Sequence, residues 1–236
     1  MKSKYPIIIF VIAIIFVMIA WSKQGAASNI TVNQTADKIT IMGGKGKKIA
    51  SDKFTLSKDG WYIIKISYAG ADVSVCQLSL VTPSMISHKE TIGGLLTNWI
   101  GPNTTEKIQH KGSVKSEDYV IYVEDAEGPW TVEVLKNPKP APVVSNTTFS
   151  GTTNKVTPFF RLKKGSAKFT MHQKLKGRFS SRLEVDLINA DTGAFVSYLC
   201  HNAIEPTQTA KVDISAAGDY ILEVSGGDNW DVSYVQ

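Results

Sequence analysis

The chain is poor in the residues that build catalytic and metal centres, with two cysteines and four histidines in 236 residues. Cys76 and Cys200 fall at non-equivalent places of a tandem repeat described below, so neither half can close an internal disulfide. Only a bridge between the halves is open to them, and two free thiols are expected. His88, His110, His172 and His201 show neither His-x-His nor His-x-x-x-His spacing, which removes the local zinc motifs. No serine sits in a Gly-x-Ser-x-Gly turn, and the adjacency of Cys200 and His201 does not set a nucleophile against a base. Gly43-Gly44-Lys45-Gly46-Lys47-Lys48 lacks the spacing of a phosphate loop and no helical pattern follows it, so it reads as a solvated hairpin turn. Past residue 27 no stretch has the 3.6 period of an amphipathic helix. These absences predict a protein that is not an enzyme and carries no cofactor.

Charge of one sign is scarce as well. The net charge is +5, but Lys2, Lys4 and Lys23 lie in the first 27 residues, where there is no acid, so the remainder carries 5 − 3 = +2. That balance excludes a nucleic-acid binder. A composition of 43% hydrophobic and 20% charged residues fits folded protein.

What the sequence does contain is one long apolar run and one repeat. Pro6 to Trp21 has no charged residue and follows a basic head, as in an export signal or membrane anchor. Gly25-Ala26-Ala27 supplies the small residues for cleavage before Ser28. Residues 1–27 are therefore a signal peptide or an anchor, with the rest outside the cell or on its surface. Residues 28–38 read as a polar tether or an edge segment.

The repeat is clearest at its ends. Gly218-Asp219-Tyr220-Ile221-Leu222-Glu223-Val224 and Trp230-Asp231-Val232 close the chain, and Glu117-Asp118-Tyr119-Val120-Ile121-Tyr122-Val123 and Trp130-Thr131-Val132 stand about one hundred residues earlier. Phe160-Arg161-Leu162 answers Phe54-Thr55-Leu56, and Phe149-Ser150-Gly151 answers Ile41-Met42-Gly43. Alternation within these runs has the period of half-buried strands. The expectation is an all-β chain of two tandem β-sandwiches, 39–136 and 145–236, each with roughly seven or eight short strands. Between them, residues 137–144 hold a Pro-rich linker that reads as a semi-rigid spacer.

Trp130, Trp230, Tyr119 and Tyr220 repeat on apolar faces and are predicted core; Trp61 follows a Gly turn and suits either core or surface. Trp99 lies in the predicted loop Thr97-Asn98-Trp99-Ile100-Gly101-Pro102-Asn103 without a Trp counterpart, Tyr198 being nearest. Trp99, Asn98 and Asn103 are thus candidates for a ligand platform. The densest basic stretch holds Arg161, Lys163, Lys164, Lys168, Lys174, Lys176, Arg178 and Arg182. Of these, Arg161, Lys163, Lys174 and Arg178 are candidate contacts to an anionic surface, the plain alternative being a charged outer face on an edge strand. Asp186, Asp191, Asp228 and Asp231 lie near predicted turns where a sandwich can hold a structural Ca²⁺, although turn chemistry explains them too. Asn29, Asn33, Asn103 and Asn146 begin Asn-x-Ser/Thr sequons in predicted loops.

The order of a Phe-x-Leu strand, a Leu-x-Val-x-Leu strand, Gly218 to Val224 and a last Trp230-x-Val232 strand resembles the bacterial and archaeal pre-peptidase C-terminal domains and related jelly-roll modules. Glu117 to Val123 and Trp130 to Val134 make a poorer copy without the Gly, and Glu184-Val185-Asp186-Leu187 stands where that family has Asp-Leu-Tyr. The resemblance implies jelly-roll sandwiches serving exported proteins as accessory modules. The expectation is a non-catalytic, exported or membrane-tethered module that binds a cell-surface polymer or protein partner. The alternatives are a subunit that self-assembles through sheet edges, its oligomeric state left open, and an accessory protein of an extracellular hydrolase system.

Overall fold

The computed structural model describes residues 30–57, 60–70, 75–83, 97–100, 103–109, 117–138, 147–152, 154–174, 182–203, 205–226 and 229–236. The expected signal or anchor segment, Asn29, Lys176, Arg178, Asp228, Asn146 and most of the Pro-rich linker lie outside the described residues. Among the described residues every element is a strand, and no helix is long and apolar enough to cross a membrane.

The first half contains β1 (Thr31–Gln34), β2 (Lys38–Gly43), β3 (Gly46–Ala50), β4 (Phe54–Leu56), β5 (Tyr62–Tyr68), β6 (Val75–Val81), β7 (Thr97–Ile100), β8 (Asn103–Gln109), β9 (Glu117–Ala126) and β10 (Trp130–Lys136). The second contains β11 (Thr148–Gly151), β12 (Lys155–Val156), β13 (Phe160–Leu162), β14 (Gly165–Gln173), β15 (Leu183–Asn189), β16 (Phe195–Ala203), β17 (Thr207–Ile214), β18 (Gly218–Ser225) and β19 (Trp230–Val235). In the first sandwich β1-β2-β10-β5-β8 faces β3-β9-β6-β7, with β4 also on β9; in the second β11-β19-β14-β17 faces β12-β18-β15-β16, with β13 also on β18. Apart from β1, the two orders are identical, and each is that of a two-sheet jelly roll.

The repetition extends to side-chain detail. Trp130 pairs with Gly43 across the ladder and Trp230 with Gly151. Each indole lies over its glycine so closely that a β-carbon there would overlap the ring. Strand counts exceed the expectation because one strand breaks in two in both copies, for the same reason, and because β1 adds an edge to the first. Ser51 accepts the Ile121 N–H on its hydroxyl at 2.9 Å, and Thr157 accepts the Leu222 N–H at 2.9 Å. A side chain thereby replaces a ladder carbonyl between β3 and β4 and between β12 and β13. The cores are as predicted: Tyr119, Trp130, Tyr220 and Trp230 are buried, with Phe54, Leu56, Phe160 and Leu162 beside them.

Several sequence expectations are corrected. Of the two readings of residues 28–38, the edge segment describes 31–34, which pair with β2, so the sequon at Asn33 lies in a strand opposite Thr40 and not in a loop. Gly43 ends β2 and Gly46 to Lys48 begin β3, two strands in different sheets joined by Gly44 and Lys45, so the segment is no hairpin. The predicted loop Thr97 to Asn103 supplies β7 and the first residue of β8. The basic stretch contains β14, which is a central strand between β19 and β17 and not an edge. Ala167, Phe169 and Met171 face its core, while Lys168, Thr170 and His172 alternate outward.

A third hydrophobic cluster joins the sandwiches. Tyr62, Ile64, Val132 and Val134 point into the first core, so Ile63 and Leu135, which are register partners, point out of it. In the second sandwich Ile188 and Ile221, also register partners, point out by the same alternation. The two pairs meet with Trp61, Val156, Ala190 and Phe159 in one cluster. The β2-β10-β5-β8 sheet therefore packs on the β12-β18-β15-β16 sheet, and four sheets stack in series. Gly193, at φ +66°, lies under the Trp61 indole with no room for a β-carbon. Asn137 clasps the same residue: its N–H donates to the Trp61 carbonyl at 2.8 Å and its Oδ1 accepts the Trp61 N–H at 2.9 Å. At the far face of the second sandwich the equivalents of Ile63 and Leu135 are Lys168 and Val235. The lysine gives that outer sheet a more polar face than its counterpart in the first sandwich.

Candidate functional site

Strand β16 is the free edge of the β12-β18-β15-β16 sheet. It pairs with β15 through three register shifts: Ile188 opposes Phe195, Leu187 opposes Ser197, Asp186 opposes Tyr198, Val185 opposes Cys200 and Leu183 opposes Ala203. Each shift inserts one extra residue into β16. Residues three apart on β16 consequently lie opposite residues two apart on β15, so Phe195, Tyr198 and His201 all follow the outward positions Ile188, Asp186 and Glu184. Leu199 and Cys200 turn inward and are buried. Cys200 is a free thiol whose Sγ–H donates to the Leu183 carbonyl at 3.4 Å. The side chain of Cys76 lies outside the described residues.

The result is a ledge of exposed rings. Phe195 and Tyr198 are 42% and 62% exposed, with ring centroids 4.5 Å apart and planes tilted by 52°. His201 follows at 5.6 Å and 59°, and its Nδ1 is 3.7 Å from Glu184 Oε1. Large exposed hydrophobic side chains are rare among the described residues, and Phe195, Val196 and Tyr198 place three of the five on this strand. Leaving two aromatic rings in water forgoes roughly 1–3 kcal/mol of burial for each, and such clustering marks interaction surfaces. The turn before the ledge is held firmly. Asn189 Oδ1 accepts the Asp191 N–H, the Thr192 N–H and the Thr192 hydroxyl, each at 3.0 Å, and Gly193 is pinned by Trp61. The surroundings are acidic: β15, β16 and β18 carry Glu184, Asp186, Asp219 and Glu223 and neither Lys nor Arg. Arg161 compensates Asp219, with Nε 2.9 Å from Oδ1.

The candidates drawn from the sequence are dispersed. Trp99 and Asn98 lie on strand β7, opposite Cys76 and Gln77, and Asn103 begins β8 opposite Tyr68, so the predicted loop is mostly strand. Their side chains lie outside the described residues. β7 and β16 occupy equivalent edges of the two sandwiches, but Trp99 lies opposite Cys76 while Tyr198 lies opposite Asp186, the counterpart of Ser79, so the two aromatic residues are not at equivalent positions. Lys163 and Lys174 are exposed at opposite ends of β14, about 30 Å apart for nine extended residues. Asp186 and Asp231 lie on different sheets, and among the described residues no three His, Cys, Asp or Glu side chains converge as a metal site. A cleft of about 490 Å³ lined by Gln34, Asp37, Thr55, Ser57, Tyr62, Lys136 and Asn137 opens at the end of the first sandwich. Its best-placed polar groups already serve the fold: the Tyr62 hydroxyl accepts the Ser57 N–H at 2.6 Å and donates to the Ser57 carbonyl at 2.9 Å. Burial pushes the Tyr62 phenol up, against a smaller lowering from the Ser57 backbone bond.

Strand order and packing define a tandem jelly-roll β-sandwich protein. No family model and no curated relative matches the chain. Among solved structures it is similar to the CBM22-1-CBM22-2 tandem domain from Paenibacillus barcinonensis Xyn10C, at 9% identity and TM-score 0.25 over 89% of this chain and 90% of that one. AerE from Microcystis aeruginosa matches at 9% and 0.26 over 91% and 95%, and a cupin 2 conserved barrel domain protein from Leptotrichia buccalis at 6% and 0.25 over 92% and 92%. Likeness at these TM-scores carries no argument about function. The jelly-roll part of the sequence resemblance stands on this chain's own strand order; membership of the pre-peptidase C-terminal family is not shown.

Proposed function

We propose that this chain is a non-catalytic binding module, exported or membrane-tethered, that holds a cell-surface glycan on the β16 ledge. The observation that carries the reading is the bulged edge strand, which turns Phe195, Tyr198 and His201 outward together where a regular strand would bury every second residue. Aromatic faces with polar neighbours bind sugar rings through their apolar C–H faces, and the rings are fixed in advance, which lowers the ordering cost of binding. Self-assembly through sheet edges finds less support at β16, because bulges interrupt the row of groups that an added strand must pair with.

Glycan arrays probed with the wild type and with a Phe195→Ala/Tyr198→Ala variant test the reading. The variant loses binding while its thermal unfolding stays unchanged; retained binding removes the ledge from the site. The N-terminal residue of the mature protein, Ser28 or Met1, separates secretion from anchoring.

A further inference from the structure

We infer that the ledge selects a glycan bearing free amines, a polymer of amino sugars with ammonium groups, over neutral or N-acylated chains. This inference rests on the glycan-binding reading and adds the charge of the ligand. Three observations lead to it. The exposed rings of Phe195 and Tyr198 present faces that attract a cation. Carboxylates stand on the neighbouring strand: Asp186 is the register partner of Tyr198, and Glu184 Oε1 is 3.7 Å from His201 Nδ1. Lastly, charge is segregated. β15, β16 and β18 hold no Lys or Arg, whereas Lys155 and Arg161 lie on β12 and β13 at the other side of the same sheet and Lys163, Lys164, Lys168 and Lys174 lie on or beside β13 and β14. An anionic polymer is repelled at the ledge and a cationic one is drawn to it.

Ring geometry narrows the ligand further. Planes tilted by 52° and 59° cannot together lie flat on a rigid planar surface, but they can follow a single chain that twists from one residue to the next. An ammonium group on such a chain can sit over one ring with a carboxylate at its side while the neighbouring sugar packs on the next ring.

The test is calorimetric titration of the full chain at pH 6 with three oligomers of equal length: β-1,4-linked glucosamine, its N-acetylated form, and the glucose analogue. Oligolysine forms a fourth arm. The glucosamine oligomer is expected to bind about five- to tenfold more tightly than the other two glycans. That advantage falls in 0.5 M salt and in the Glu184→Gln/Asp186→Asn variant, whereas Tyr198→Ala weakens all three. Equal or tighter binding of the N-acetylated or neutral oligomer overturns the inference and leaves the glycan-binding reading intact. Oligolysine binding as tightly as the glucosamine oligomer also overturns it, since charge alone would then suffice. Binding of none of the glycans, or binding indifferent to Tyr198→Ala, overturns the binding reading itself.

Discussion

Replacing Trp61 with Ala removes the largest side chain from the junction between the sandwiches while leaving each sandwich's own core untouched. Trp61 is 4% exposed and belongs to the junction cluster, not to either internal core. The Asn137 clasp survives, because both of its hydrogen bonds use the Trp61 backbone. Truncating a buried Trp costs about 3–5 kcal/mol, and here the loss falls mainly on the contact with Gly193, Ile188 and Ile221. A loss of about 3 kcal/mol lowers the coupling constant between the sandwiches by about two orders of magnitude. Scanning calorimetry of the wild type therefore shows coupled unfolding, and Trp61→Ala splits it into two transitions with a larger radius of gyration in solution scattering. Gly193→Ala, which drives a methyl group into the same indole at a left-handed φ, has the same effect from the other side. An unsplit transition with unchanged scattering in both variants would refute the claim that this cluster couples the sandwiches.

In the Trp61→Ala background, where the two transitions are separate, Gly43→Ala and Gly151→Ala each displace an indole and destabilise their own sandwich by about 1–3 kcal/mol in denaturant titrations, without moving the other transition. Ser51→Ala and Thr157→Val leave the Ile121 and Leu222 amides without a partner, at a cost of about 1–3 kcal/mol; faster hydrogen exchange at those two amides is the readout. Desolvation raises the phenol pKa values of Tyr62, Tyr122 and Tyr234, with Glu124 adding to the rise at Tyr122. A raised folded pKa holds the proton, so this stability is fully present below about pH 10, where the unfolded phenol ionises, and is lost as pH climbs through the folded values. The ring resonances of Tyr62, Tyr122 and Tyr234 should report ionisation late, together with unfolding; full titration of these three near pH 10 in the folded state would contradict that.

The sequence made the repeat legible because Tyr, Trp and Phe-x-Leu occupy fixed places in a period-2 pattern, and the same residues fill both cores. Other features depend on register, which no local pattern encodes. The Gly43–Trp130 and Gly151–Trp230 contacts arise across strands, and Ser51 and Thr157 act on amides some 65 to 70 residues away. Strand β14 has clean alternation, yet its outward Lys168 and the basic residues that flank the strand make it read as a charged edge. The ledge was hidden for a specific reason: Phe195-x-x-Tyr198-x-x-His201 has a spacing of three, which belongs to neither a regular strand nor a helix face, and only the bulges make it one surface. The spacing itself was the available signal. Trp61 was ambiguous because its partners come from the other half of the chain.

Chemical-shift mapping of the full chain during titration with an amino-sugar oligomer tests the central claim most directly. The account predicts that the largest changes fall on Phe195 to His201 and on Glu184 and Asp186, the residues that β16 and β15 bring to one face. Changes centred on Trp99 and Asn103, or on Arg161 to Lys174, with the ledge unmoved, would contradict it.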